Sequence, residues 1–243
     1  MEWHDTGFVV AARRHGESAV IVELLTRDHG VRAAYVPGGG SRRAKPRLQI
    51  GSRVLVDYRA RTAEQLGSAK LEPMGEGPAV LFDDRLALAG LAAAAAVTLG
   101  ALPEREPHPQ VFEAVSALLH AFAEVEAWPA VLVRFEAGLL AQLGFGLDLA
   151  RCAVTGSAEN LVWVSPRSGR AVSGVAGAPY EDRLLPLPAF LLSERASLEP
   201  GDIGAGLALT GHFLEAVVFA ALQKPLPPAR KWLVDRLADS GKL

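Results

Sequence analysis

The sequence predicts an α+β chain: a five-stranded β-barrel of the OB type at the N-terminus, then a helical body. Three observations predict it. Five short runs rich in β-branched and aromatic residues fall within the first seventy-odd positions, glycines punctuate them, and beyond residue 78 the apolar residues recur at helical spacing. Closing five short strands into a barrel leaves no long unpaired edge, which makes it the economical arrangement.

The strands are read in order. Phe8–Ala12 follows Thr6-Gly7 and runs to a turn at His15-Gly16. Ala19–Leu25 ends in the turn Thr26-Arg27-Asp28-His29-Gly30, and Val31–Val36 leads into the basic segment Gly38-Gly39-Gly40-Ser41-Arg42-Arg43-Ala44-Lys45-Pro46-Arg47. Arg53–Tyr58 and the segment around Gln65–Leu71 complete the set. A Pro/Gly linker, Pro73-Met74-Gly75-Glu76-Gly77-Pro78, then divides the chain into domains 1–77 and 78–243.

Beyond the linker, Asp83-Asp84 precede an alanine-rich helical run that stops near Gly100 and Pro103. Val111, Val115, Leu118, Leu119 and Phe122 form one apolar stripe, and Leu132, Phe135, Leu139, Leu140 and Leu143 form another. Prolines at 107, 109 and 129 sit near helix starts, where proline is tolerated. Further helices are expected over Pro186–Leu198, Gly204–Ala221 and from Leu226-Pro227-Pro228 through Trp232, Leu233 and Leu237. His108, His120 and His212 lie on separate elements without a carboxylate or cysteine at ligand spacing, so they read as surface or locally satisfied histidines.

Composition bounds the function. Half of the 243 residues are hydrophobic, enough for a sizeable core. One cysteine, Cys152, excludes an internal disulfide and fits a reducing compartment. No basic n-region opens the chain, and the apolar stretch Leu86–Leu102 is shorter than a membrane span needs, so a soluble, cytoplasmic protein is expected. The net charge of -2 hides an asymmetry: residues 1–72 carry 12 Lys+Arg against 8 Asp+Glu, and the remainder 13 against 19. A basic β-module on an acidic body is the pattern of a polyanion-binding domain on a scaffold.

Arg42, Arg43, Lys45 and Arg47 suit phosphate neutralisation, with Arg13 and Arg14 in the first turn and Arg59 and Arg61 after the fourth strand widening the track. Tyr35 and Tyr58 are candidate stacking faces, with core packing the equal alternative. The glycine run is not followed by Gly-Lys-Ser/Thr, so it is no Walker loop.

These residues carry a family resemblance. Gly16-Glu17-Ser18, Thr26-Arg27-Asp28-His29-Gly30, Gly38–Arg43, Leu48-Gln49-Ile50-Gly51 and Lys70-Leu71-Glu72 follow, in order and at similar spacing, the pattern of the RecO family of bacterial recombinational DNA repair proteins. Val133-Arg134-Phe135-Glu136, Leu143-Gly144-Phe145-Gly146, Leu147-Asp148-Leu149 and the Leu226-Pro227-Pro228-Ala229-Arg230 entry extend the resemblance close to the whole chain. It implies a small zinc-ribbon-like β-hairpin insertion at about 150–180, which in a number of members holds zinc on four cysteines. Here Cys152 stands at the first ligand position and Thr155 at the second, and no cysteine or histidine follows as far as Tyr180. Structural zinc needs four protein ligands, so a hairpin over Asn160–Ser173 without metal is expected, held by Trp163 and apolar contacts, with Cys152 buried and unreactive.

The resemblance implies a DNA repair and recombination mediator without enzymatic activity or cofactor, acting in the bacterial cytoplasm at the nucleoid. It would bind single- and double-stranded DNA, anneal complementary strands and, with RecR, help load recombinase onto DNA coated by single-stranded-DNA-binding protein. The acidic, phenylalanine-ended tail of that protein docks on the family's helical part, for which Arg134, Lys224, Arg230 and Lys231 are the candidate cations. The alternative is an OB-type RNA-binding protein of translation or RNA metabolism, because basic loops do not read the 2′-OH. A hydrolase built on Asp28-His29 with Ser18 or Ser41 is the weakest reading: no Gly-x-Ser-x-Gly elbow is present, and Asp-His before Gly30 reads as turn chemistry.

Overall fold

The computed structural model describes residues 1–62, 64–75, 77–81 and 83–243, the side chain of Val80 excepted. Two compact units are formed, Met1–Glu126 and Ala127–Leu243.

The first unit begins with five strands, β1 (Glu2–His15), β2 (Ala19–Thr26), β3 (Gly30–Val36), β4 (Arg53–Arg59) and β5 (Gly67–Pro73). They close into a barrel in the order β1-β2-β3-β5-β4. All pairs are antiparallel except β3 with β5, which touch only at Ala34↔Gly67 and Tyr35↔Ser68. β1 is longer than its apolar run suggests. Its polar start, Glu2–Phe8, pairs with β4, and its second half, Gly7–His15, pairs with β2 past a bulge at Val9–Ala11. A bulge bends and twists a strand, which lets one strand serve both neighbours at the closure.

Alternate residues fill the barrel: Val9, Val20, Val22, Leu24, Ala34, Val36, Val54, Val56, Tyr58, Ala69 and Leu71 form one buried cluster. One end is closed by a ring stack. Trp3 lies between His29, at 4.1 Å, and Tyr58, at 4.5 Å, with ring planes within 11° of parallel. His29 Nδ1–H donates to Asp5 Oδ2 at 2.9 Å, and the Asp28 backbone N–H donates to the same oxygen at 2.9 Å. The turn reading of Asp28-His29 therefore acquires a partner that the sequence did not suggest, the first-strand carboxylate Asp5. Gly30 must be glycine, because its φ is +69° and a Cβ would come within 2.2 Å of the Glu106 carbonyl oxygen.

The linker expected around Pro73–Pro78 includes Glu76, which lies outside the described residues. After a 3₁₀ turn at Gly77–Leu81, Asp84 caps α1 (Arg85–Ala101) by accepting the Leu86 and Ala87 N–H groups at 2.9 Å. α2 (Pro109–Glu124) starts on its proline. These two helices cover the outward-facing Phe8 and Val10 of β1, with the Phe8 and Phe112 rings 4.8 Å apart. The compact unit therefore runs on past the barrel to Glu126.

The second unit contains α3 (Trp128–Gln142), β6 (Leu161–Val164), β7 (Ala171–Ser173), a single turn α4 (Gly174–Gly177), β8 (Leu185–Pro186), α5 (Asp202–Phe213) and α6 (Pro228–Asp239). β6 and β7 form a hairpin within the expected Asn160–Ser173 segment, and β8 adds to make the order β7-β6-β8. The helix expected over Pro186–Leu198 does not form. Leu185–Pro186 pairs with β6 instead, and only a 3₁₀ turn at Ala189–Leu191 follows. Pro186 and Pro188 explain this, since each forces its preceding residue out of the helical region. α5 continues as a π-helix over Leu214–Phe219. Among the described residues Asp202–Phe219 is the one helix long and apolar enough to cross a bilayer, and half of it is buried inside the protein.

The centre of this unit is polar. Arg230 of α6 is 5% exposed and forks onto Glu136 of α3, Nε to Oε1 at 2.7 Å and Nη2 to Oε2 at 2.9 Å. Nη2 also donates to Leu207 O at 2.7 Å and to Thr210 Oγ1 at 3.2 Å. The Thr210 hydroxyl donates in turn to Glu136 Oε2. Gly211 makes room, since a Cβ there would lie 2.6 Å from an Arg230 nitrogen.

Candidate nucleic-acid interface

The barrel's pairing register lines up a row on the outward side of the sheet, exposed or half-buried at every position except Ile21, which is 5% exposed and interrupts the surface. Arg13 pairs with Ile21, Ile21 with Tyr35, Tyr35 with Ser68 and Ser68 with Arg59. Residues opposite one another in a sheet share a face. The row uses the parity opposite to that of the core residues, so it points outward. With neighbouring strands about 4.8 Å apart, it spans roughly 19 Å of curved surface, room for a few nucleotides. At the Arg13 end the exposed Arg14 and His15 follow, and His15 meets the half-buried Tyr35 ring edge-on at 6.0 Å. At the other end the exposed Arg61 lies just beyond Arg59.

The basic loop joins this row because it is anchored. Gly40 N–H donates to Ser18 O at 2.8 Å, Gly39 N–H to Val36 O at 3.2 Å, and Ala44 and Leu48 insert into the barrel core. Arg42, Arg43 and Lys45 are left exposed beside the β1–β2 turn. Among the described residues, none of Arg13, Arg14, Arg42, Arg43, Lys45 and Arg61 is in an ion pair. Arg59 is shared between Asp57, at 3.6 Å, and Glu2, at 3.9 Å. Arg47 departs from the loop's pattern: it is half-buried, and its Nε has no hydrogen-bond partner among the described residues.

Tyr58 is not part of this surface. It is 2% exposed, its ring is stacked on Trp3, and its hydroxyl accepts the Gly67 N–H at 3.0 Å. Alternation along β4 puts it inward with Val54 and Val56, a signal legible in the sequence. Conversely, Ser68 and His15 were missed by sequence reasoning, because neither residue type marks a binding surface until the register places it beside Tyr35.

Next to the row, a groove of about 330 Å³ runs along Pro37, Asp57, Arg59, Ser68 and Lys70. A wider one of about 570 Å³ continues through Asp57 and Lys70 to His4, Thr6, Leu55 and Arg27. Its charges are mixed and largely paired, with Lys70 Nζ donating to Glu72 Oε1 at 2.7 Å. Among the described residues Arg27 and Lys70 of the larger groove are paired, whereas Arg13 of the row and Arg42, Arg43 and Lys45 of the loop are not.

The predicted docking cations of the helical part do not converge. Arg134 donates to Phe190 O at 2.9 and 3.1 Å and sits over the Phe190 ring, holding the Ala189–Leu191 turn. Arg230 is buried on Glu136, so it is a structural residue and not an accessible docking cation, a correction to the sequence reading. Its place was foreshadowed: Arg230, Leu233 and Leu237 fall at helical spacing on one buried face. Lys224 and Lys231 are exposed.

The hydrolase pairing of His29 with Ser18 fails on geometry. Ser18 precedes β2 and His29 follows it, so the 8-residue strand separates them by about 26 Å. Nor does the Cys152 environment fit zinc. Its Sγ accepts the backbone N–H groups of Ser173 at 3.3 Å and Thr155 at 3.5 Å, and both partners are hydroxyl residues where tetrahedral zinc needs thiolate or imidazole. Among the described residues no group of three or more His, Cys, Asp or Glu could hold a metal ion. Burial raises the thiol's pKa, but hydrogen bonds from the side chains of Ser173 and Thr155, and then from their backbone N–H groups, together outweigh it and bring the group down to about 6. The hairpin is held by this N–H···S pair and by apolar packing of Leu161, Val164 and Ala171.

A closed five-stranded barrel of the OB type with a cationic outer row, followed in the chain by a helical unit, is the class of protein the fold defines. The family model described as "Recombination protein O N terminal" matches residues 1–73, and "Recombination protein O C terminal" matches 83–225. The chain is 64% identical to a DNA repair protein RecO of Phenylobacterium zucineum and 63% identical to one of Caulobacter vibrioides, each over 243 residues and the full length of both chains. It is 49% identical to that of Rhodospirillum centenum over 238 residues, 97% of this chain and 94% of the relative. The chain belongs to the RecO family, and its role is in DNA repair and recombination.

Proposed function

We propose that this chain is a non-enzymatic recombination mediator whose barrel holds DNA, single- or double-stranded, along the outer row and the anchored basic loop. The observation that carries the reading is the register-built line Arg13–Ile21–Tyr35–Ser68–Arg59 flanked by Arg14, Arg42, Arg43, Lys45 and Arg61. Guanidinium and ammonium groups neutralise phosphates without reading sequence, and Tyr35 offers the one ring face in the row for base stacking. Two strands whose charge is screened in this way anneal downhill, with no nucleotide hydrolysis required. The helical unit engages the ring-forming RecR partner and the acidic tail of single-stranded-DNA-binding protein, so that recombinase is loaded on the strand. For that tail Arg134, Lys224 and Lys231 remain the candidates, since Arg230 is buried.

The test is fluorescence anisotropy on a labelled single-stranded oligonucleotide across a salt series, with wild type beside a variant carrying alanine at Arg13, Arg14, Arg42 and Arg43. The expected result is weaker binding by the variant, with a salt slope shallower by about 0.7 per lost phosphate contact. Wild type that binds no nucleic acid at low salt would sink the reading. Equal affinity for an RNA of the same sequence would place the barrel among strand binders that do not use the 2′-OH.

A further inference from the structure

Where β3 and β5 part, the barrel wall opens into a recess of about 190 Å³. Their pairing ends at Ala34↔Gly67, and below it Val31–Ala33 and the 64–66 segment diverge. The 104–105 turn closes the floor: Val31 bridges Glu104, and the Arg105 N–H donates to Val31 O at 3.0 Å. Two guanidinium residues, Arg32 and Arg105, line this recess together with the exposed Gln65.

Arg32 is an unusual residue in this position. It occupies the inward parity of β3, with Ala34 and Val36, and is 9% exposed. Its Nε donates to His29 O at 3.1 Å, and its terminal nitrogens have no partner among the described residues. Arg105 gives one hydrogen bond, at 3.2 Å to Glu64 O. Neither is in an ion pair among the described residues. Two carboxylates also border the recess, Glu64 and Glu104. Glu64 turns back onto its own backbone N–H and the Thr62 hydroxyl, which hold its pKa down, and Arg105 lowers it further. Glu104 acts on Glu23, whose pKa is raised by burial first and by Glu104 second.

Burying Arg32 with no carboxylate at ion-pair distance is unfavourable, and the like charge of Arg105 facing the same cavity makes it more so, with Glu104 offsetting part of that cost. Burial lowers the Arg32 pKa and Arg105 lowers it further, against opposing effects of Tyr58 and Glu104. Arg105 is also held at φ 67°, a left-handed conformation that is costly for a residue with a Cβ. The unpaired charge at this cavity would be relieved by an anion held between the two guanidiniums.

We propose that this recess is a phosphate seat in which Arg32, Arg105 and Gln65 receive a phosphate group of the strand lying on the adjacent outer row. The proposal rests on the DNA-binding reading above. Guanidinium forks match phosphate oxygens in geometry as well as in charge. Continuity supports the assignment, because the Tyr35↔Ser68 pair of the row is one step from the Ala34↔Gly67 pair that borders the recess, and Ala33 is two positions, about 7 Å, from Tyr35 along β3. The phosphate comes either from a strand end or from an internal diester, and the closed floor favours the end.

Two measurements on the full chain decide it. The first is thermal melting of wild type and Arg105→Ala in inorganic phosphate against chloride at matched ionic strength. The expected result is a higher melting temperature in phosphate for wild type only, since a ligand that binds the native state stabilises it. The second is anisotropy with one oligonucleotide carrying a 5′-phosphate, a 3′-phosphate or hydroxyl ends. Arg105→Ala should lose about tenfold in affinity, the scale of one charge-assisted hydrogen bond. Loss confined to a phosphorylated end assigns the seat to strand termini, and loss with all three oligonucleotides assigns it to internal phosphates. Equal phosphate effects on both proteins, with Arg105→Ala binding every oligonucleotide as wild type does, overturn the seat while the outer-row reading stands. Phosphate protection that needs Arg105, in a protein that binds no DNA, keeps the seat and removes the strand reading.

Discussion

Replacing Arg230 by alanine separates two roles for a basic residue near the C-terminus, a docking cation and a structural one. The side chain is 6% exposed and that of Glu136 is 2% exposed. Truncation would leave both Glu136 oxygens, Leu207 O and the Thr210 hydroxyl short of a donor in the middle of three helices. Breaking a buried pair by removing one partner costs about 3–5 kcal/mol, because a charge is stranded. The second unit, 127–243, has an unfolding entropy of roughly 0.25 kcal/mol/K by the usual per-residue value, so its melting temperature should fall by about 12–20 °C. Thermal and urea melts followed by circular dichroism read this directly. The double variant Arg230→Met with Glu136→Leu should recover most of the loss, since apolar residues of similar volume often replace a buried ion pair without penalty. The reasoning is refuted if Arg230→Ala melts with wild type and its only defect is weaker binding of an acidic, phenylalanine-ended peptide.

Three further outcomes are expected. Tyr58→Phe should destabilise the barrel by about 1–3 kcal/mol, because the Gly67 N–H loses its buried acceptor; DNA affinity of the folded protein should not change, and a selective loss of affinity would return Tyr58 to the binding surface. His29→Ala should likewise lower stability, by removing the Asp5 contact and one layer of the Trp3 stack, while leaving DNA affinity little altered in anisotropy. For Cys152 the sign follows from linkage. A thiol at about 6 in the folded state, below the ordinary value of about 8.5, binds fewer protons folded than unfolded between those two pH values. The stability difference between wild type and Cys152→Ala should therefore grow as pH rises from about 6 to about 8.5, and settle to a pH-independent value as pH falls through 6. A flat difference across that range, measured by urea melts, would show that the thiol stays protonated.

Much of the barrel is legible in local chemistry. β-branched alternation in Val54, Val56 and Tyr58 marks an inward face, and glycines at 16, 30 and 38 take the positive φ their turns require. Arg230 and Glu136 also announce themselves, each sitting on the apolar stripe of its helix with Leu233 and Leu237 or with Phe135, Leu139 and Leu140. A charged residue in such a stripe predicts a buried partner, though not which one. The first half of β1 is not legible, because Glu2–Thr6 has no apolar alternation and becomes a strand only by pairing with β4.

By itself, then, the chain's order of residues determined the five strands, most of the helical body and the basic loop, all of which depend on residue type and near neighbours. Tertiary structure decided which of those residues act together. The outer row joins positions 13, 21, 35, 68 and 59, and the phosphate recess joins 32, 65 and 105, through pairings between segments distant in the chain. Register has a period of two, so a slip of one residue would exchange Tyr35 for a core valine and the row for a buried face. That choice is made by closure of the whole barrel, with the β1 bulge and the short β3–β5 contact setting the stagger, and no local run of sequence contains it.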